Sequence, residues 1–193
     1  MKIFKQSGEY LRPATLDDAT FMFECLSDWP NGRWSYSMVE GYIKTSYSNS
    51  YGHSYGPRDS IFKQVFVLCT AAHECVGIGS FSFYTRENQE HDGLDIHYLA
   101  VHPQKRGQGY YTIFEGILGW FINQYLQLPT ASFSVVDTAP AIAHVAQRNQ
   151  AETLGTEELE GLRPKTLHKH NFEDYQNSSF DTEEKKAQYY IEL

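Results

Sequence analysis

The residues best suited to chemistry in this chain lie close together. The segment VHPQKRGQGYY runs from Val101 to Tyr111 and holds two cations, Lys105 and Arg106, and two glycines one residue apart, Gly107 and Gly109. A strand-like apolar run precedes it and a helix-like apolar run follows. The start of a helix presents unpaired backbone N–H groups and partial positive charge. Glycines let that backbone approach a ligand closely. Phosphate oxygens suit such a turn, and Lys105 and Arg106 would add charge-assisted contacts. The turn is not a P-loop, because G-x-x-x-x-G-K-[ST] is absent. Nor is it the dinucleotide fingerprint, since Thr112 stands where the third glycine belongs. In the preceding run Asp95, His97, Leu99 and Val101 alternate with Leu94, Ile96, Tyr98 and Ala100. An extended chain therefore places the carboxylate and the imidazole on one face.

The elements that position these residues follow from periodicity. A short strand is expected at Tyr10–Arg12, then Thr15 as an N-cap with Asp18 three residues on. Leu16, Ala19, Phe23 and Leu26 recur at helical spacing, which predicts a helix over 16–27. A second, weaker helix falls in WSYSMVEGYIKTSY. KQVFVLCTAAHECVGIGSFSFYT reads as two strands around a turn near Ala72–His73, and GLDIHYLAVH as another strand. Tyr110, Ile113, Phe114, Ile117, Phe121 and Tyr125 predict a helix over 109–126. ASFSVV is a strand, and Asp137 or Thr138 with Pro140 opens a further helix over 141–150. Strands are expected near 152–162 and 187–193. The polar stretch near 163–185 reads as an exposed insertion in a single domain spanning 1–193. The whole is an α/β (α+β) fold: a mixed sheet with helices on its faces.

Composition narrows the function classes. The chain has 193 residues, of which 41% are hydrophobic and 15% aromatic, enough for a packed core. A net charge of -8 argues against nucleic acid and favours a cationic or neutral partner. No run approaches the ~18 apolar residues of a membrane span, and the first residues lack the apolar core of a secretory signal. Cys25, Cys69 and Cys75 are odd in number without C-x-x-C. Free thiols in a reducing cytoplasm fit that count, although Cys69 and Cys75 can meet across a hairpin. His168 and His170 lack a carboxylate or cysteine at a familiar ligand spacing, so no metal is expected. Residues 46–60, SYSNSYGHSYGPRDS, hold Tyr47, Tyr51 and Tyr55 among small polar residues. They suit either a substrate-facing lid or a polar loop pinned by its tyrosines.

LAVHPQKRGQGYY resembles the acetyl-CoA-binding segment of the GNAT N-acetyltransferase superfamily: a strand ending in V-x-P, then [QR]-x-x-G-x-[GA]. Arg106 and Gly109 match the second pattern, and Tyr111 replaces its small residue. The order of elements is similar along nearly the whole chain. The resemblance implies a mostly antiparallel sheet of about seven strands flanked by about four helices. It implies that backbone groups of Leu99, Ala100 and Val101 meet the pantetheine arm where two strands splay apart. Arg106, Gly107, Gln108, Gly109, Tyr110, Tyr111 and Thr112 would then cradle the pyrophosphate.

The implied reaction is transfer of an acetyl group from acetyl-CoA to a primary amine of a small molecule or peptide. An alkylammonium must first lose a proton, since its pKa is about 10.4. Asp95 and His97 are the candidate bases. Many relatives carry a tyrosine on the fourth helix that protonates the departing thiolate, followed by Gly-Phe. Here Ala146 and Gln150–Ala151 occupy those positions. Tyr110 is the substitute acid to consider. Tyr47, Tyr51 and Tyr55 would face a cationic acceptor, because aromatic faces attract ammonium groups. The expected state is monomer or homodimer. The missing tyrosine leaves a second reading open: an acyl-CoA-binding or protein-interaction module with weak or no activity.

Overall fold

The computed structural model describes residues 1–27, 34–46, 59–85, 93–125, 133–137, 152–157, 165–170 and 182–193. Among these residues nine strands form one sheet. They are β1 (Lys2–Lys5), β2 (Tyr10–Pro13), β3 (Asp59–Cys69), β4 (Cys75–Thr85), β5 (Gly93–Val101), β6 (Phe133–Asp137), β7 (Glu152–Glu157), β8 (Lys165–His170) and β9 (Tyr189–Glu192). Their order across the sheet is β7-β8-β6-β5-β4-β3-β2-β1-β9. Every neighbouring pair is antiparallel except β5 and β6, which run parallel. The described helices are α1 (Ala19–Leu26), α2 (Tyr36–Lys44), α3 (Tyr110–Trp120) and the single turn α4 (Glu183–Lys186).

The sheet separates two apolar layers. On one face Phe66, Leu68, Phe81 and α3 residues Phe114, Ile117, Leu118 and Phe121 form one cluster. On the other, Val65, Val67 and Ile78 meet Ala19, Met22, Cys25 and Leu26 of α1 and Val39, Tyr42 and Ile43 of α2. Alternation along β3 explains the division, because Val65 and Val67 face away from Phe66 and Leu68. Truncating Phe114, which is fully buried, costs about 3–5 kcal/mol.

The structure moves several expected boundaries. The buried face of α1 is Ala19, Met22, Cys25 and Leu26, whereas Leu16 is 47% exposed and Phe23 only half-buried. Leu16 lies in a 3-10 turn, Leu16–Asp18, whose phase differs from that of the helix it precedes. α3 ends as an α-helix at Trp120 and continues as a five-residue π turn, Phe121–Tyr125. Tyr125 leaves the core face there, is half exposed, and stacks on Phe121. The stretch near 163–185 contains β8, paired on both sides, with β6 and β7. β1 was not expected; Ile3 pairs with Leu11 and Ile191, so the two ends of the chain meet at one sheet edge. The helix expected over 141–150 lies outside the described residues.

Candidate functional site

β5 carries the site. Its pairing with β6 spans only Leu94 opposite Phe133 and Asp95 opposite Ser134. Beyond Asp95, β5 runs on to Val101 paired with β4. Among the described residues, the parallel strands thus pair at two positions, and β5 has no ladder partner on that side beyond Asp95. β5 also bulges there. Ile78 pairs with Ala100 and Ser80 with His97, so Gly79 faces both Tyr98 and Leu99. A Cβ on Gly79 would stand 2.8 Å from Leu99 Cδ1 and from Phe114 Cζ, which is why that position has no side chain.

The chain leaves β5 through a fixed turn. The His102 N–H donates to the Val76 carbonyl at 3.0 Å, and the His102 ring stacks on Phe21. Pro103–Lys105 is a 3-10 turn, started by Pro103 at its first position. Gly107 and Gly109 hold φ at +75° and +81°, the left-handed region that glycine tolerates. Gly109 is the N-cap of α3, and no side chain caps it. Ile113 N–H is bonded to the Gly109 carbonyl at 3.2 Å, so the earlier N–H groups of the helix have no acceptor within it. Nothing lies within 4 Å of where a Cβ would stand on Gly107 or Gly109. Among the described residues, the Tyr111 ring therefore does not come within 4 Å of either of those two points.

Both cations have protein partners at the turn. Lys105 Nζ lies 2.6 Å from Glu74 Oε1, and that carboxylate raises the lysine's pKa. Arg106 Nε donates to the Val101 carbonyl at 3.1 Å, which fixes the last residue of β5 to the turn.

The structure brings Leu99, Ala100 and Val101 to the C-terminal end of β5, directly before the Arg106–Thr112 turn. Tyr110 opens α3 and packs against the cluster around Phe114. Asp95 sits at the last β5–β6 pair and opposite Ser82, and His97 sits opposite Ser80. Both strand positions therefore adjoin the place where the sheet opens. Tyr47, Tyr51 and Tyr55 lie outside the described residues, as do Ala146 and Gln150–Ala151.

Two residues near position 97 were not anticipated. Tyr42 of α2, 6% exposed, shares a hydrogen bond with the hydroxyl of Ser80, 1% exposed. Val65, Ser80 and His97 form one row across β3, β4 and β5. Tyr42 thus ties α2 to the strand beside the candidate base. The weak amphipathic pattern of α2 gave no sign of this.

This sheet, with its parted parallel strands and glycine-opened helix, is the fold of the GNAT N-acetyltransferases. Solved structures of a spermidine N-acetyltransferase are similar to it. A variant of the spermidine N-acetyltransferase SpeG from Vibrio cholerae superposes with a TM-score of 0.65 at 16% identity, covering 90% of this chain and 99% of that one. The dodecameric structure of the Vibrio cholerae spermidine N-acetyltransferase gives 0.63 at 17% identity, over 90% and 99%. The spermidine/spermine N-acetyltransferase SpeG in complex with manganese ions gives 0.62 at 16% identity, over 90% and 98%. At such identities the likeness is one of fold. No family model and no curated protein matches the chain. Among the described residues no helix is long and apolar enough to cross a membrane, and no group of three metal-ligating side chains occurs.

Proposed function

We propose that the protein is an acetyl-CoA-dependent N-acetyltransferase acting on a primary amine of a small cationic acceptor. The observation that carries this reading is the parting of β5 from β6 after Asp95, directly ahead of a helix start opened by Gly107 and Gly109. An extended thioester-bearing arm fits the gap, and a diphosphate fits the turn. Coenzyme A is the ligand that joins those two chemistries, with an acetyl thioester as the electrophile.

In this reading N–H groups of residues 106–112 bind the diphosphate, with Arg106 bracing the turn from behind. Backbone groups of Leu99, Ala100 and Val101 pair with the amide-bearing arm. The bulge at Tyr98 and Leu99 turns β5 amides out of the ladder, where they can polarise a carbonyl oxygen. Asp95 or His97 takes the proton of the incoming ammonium. The free amine then attacks the thioester carbon, and Tyr110 is the candidate to return a proton to the leaving sulfur. A net charge of -8 draws a cationic acceptor toward the protein. The comparison enzymes are named for spermidine, so a polyamine is the first acceptor to try. Tyr47, Tyr51 and Tyr55 remain candidates for holding its ammonium groups. A reducing cytoplasm and a monomer or homodimer complete the reading.

The test is thiol release from acetyl-CoA in the presence of spermidine, other polyamines and neutral-chain monoamines. Turnover with polyamines supports the proposal. Tight CoA binding without turnover on any amine would favour the binding-module alternative, which Ala146 in place of the usual tyrosine keeps in view.

A further inference from the structure

We propose that Cys69 and Cys75 form a dithiol–disulfide modification site that a peroxide-class oxidant closes. The two residues flank the β3–β4 hairpin. Thr70 N–H donates to the Glu74 carbonyl at 2.9 Å, and His73 N–H to the Thr70 carbonyl at 2.9 Å. His73 takes a left-handed φ of 63° to complete this tight loop. Thr70 and Glu74 are therefore the hydrogen-bonded pair that ends the ladder. The next pair out, Cys69 opposite Cys75, belongs to the non-hydrogen-bonded kind, whose side chains come closest. Such pairs hold their Cα atoms about 4.5 Å apart, inside the range of about 4.4–6.8 Å that a disulfide spans. The sulfurs already stand 3.9 Å apart, and both are thiols. A side-chain rotation closes the bond without moving the strands.

The surroundings assign an order to the steps. Cys75 is half-buried and Arg12 Nη2 donates to its Sγ at 3.5 Å. Cys69 is 1% exposed, and burial, with Cys75 adding to it, pushes its thiol up to about 11. Cys75 is thus the sulfur an oxidant reaches. Its thiolate attacks the peroxide O–O bond, becoming a sulfenic acid as one water (or alcohol) leaves. The Cys69 sulfur then attacks Cys75 Sγ, forming the S–S bond and expelling a second water. The two thiols lose two protons and two electrons, and the peroxide accepts both.

The site adjoins the turn of the candidate cofactor site. Val76, next to Cys75, accepts the His102 N–H at 3.0 Å, and Glu74, on its other side, holds Lys105 at 2.6 Å. The cross-link would lock the strand end on which the 102–109 loop rests. It stands whether or not the chain transfers acetyl groups.

The full chain is treated with a small excess of hydrogen peroxide and mapped by mass spectrometry under non-reducing conditions. The expected product is a Cys69–Cys75 linked peptide, lost on adding dithiothreitol, with a rise in Tm of about 5 °C for the oxidised form. Cys69→Ser and Cys75→Ser each abolish the linked peptide and the Tm rise, while their reduced-state Tm shows that they fold. Accumulation of Cys75 sulfinic acid or of intermolecular disulfides, without the internal link, overturns the proposal. So does a Tm rise that persists in Cys75→Ser.

Discussion

Gly109 holds φ at +81° at the N-cap of a helix that no side chain caps. An alanine there keeps open space around its Cβ but must adopt a left-handed backbone, at about 1 kcal/mol. Gly109→Ala should lower stability by that amount in urea and weaken CoA binding about tenfold by calorimetry, roughly 1.4 kcal/mol. Unchanged affinity would separate the turn from the ligand. Asp95 and His97 make a second residue-scale prediction. The one that serves as base should lose about 10²-fold or more in kcat when changed to Asn or Ala, with KM nearly kept. The acidic limb of the pH–rate profile should disappear with it. The glycines, and the order strand–turn–helix around them, were legible in the sequence because each has a local cause. The engagement of Lys105 by Glu74 was not, because a contact across 31 positions is set by the hairpin that brings Glu74 near.

At the scale of elements, β2 is tied to the start of α1 by one ion pair. Arg12 Nη1 and Nη2 donate to Asp18 Oδ2 and Oδ1 at 2.8 and 2.6 Å, and Asp18 also accepts the Thr15 N–H at 2.8 Å. The spacing of Thr15 and Asp18 foretold the capping half of this arrangement. Arg12 as the partner depended on β2 lying beside the helix entry. Arg12→Met removes two charged hydrogen bonds from a carboxylate that is 6% exposed, and should cost about 2 kcal/mol in chemical denaturation at unchanged m-value. Gly79→Ala tests the bulge. The added methyl meets Leu99 and Phe114 at 2.8 Å, so about 1–3 kcal/mol of stability should be lost through overpacking. The bulge itself was invisible in the sequence, since Gly79 reads only as a gap in an apolar strand. β8 was missed for a related reason. Five of its six residues are Lys, Thr or His, and a polar strand becomes recognisable only beside its partners β6 and β7.

For the whole molecule, acid stability should follow Asp18. Burial alone would raise its pKa, but the hydrogen bonds from Arg12 and Thr15 outweigh that and hold the folded value below the ordinary carboxylate range. A group depressed on folding stabilises fully above its unfolded pKa, about 4, and that stability is lost as pH falls through the folded value. The urea midpoint of the native chain should therefore drop below about pH 4. Asp18→Asn, already destabilised at neutrality, should show a shallower acid limb. The sheet's overall class followed from element order, whereas the count of nine strands among the described residues needed the pairing of β1 with β9 and of β8 with β6 and β7. The central claim concerns backbone N–H groups, and amide NMR reads them directly. A labelled chain titrated with CoA should show its largest shifts at residues 107–112, and pantetheine, which lacks the diphosphate, should leave those amides in place. Saturation with CoA that leaves the 107–112 amides unmoved would contradict it.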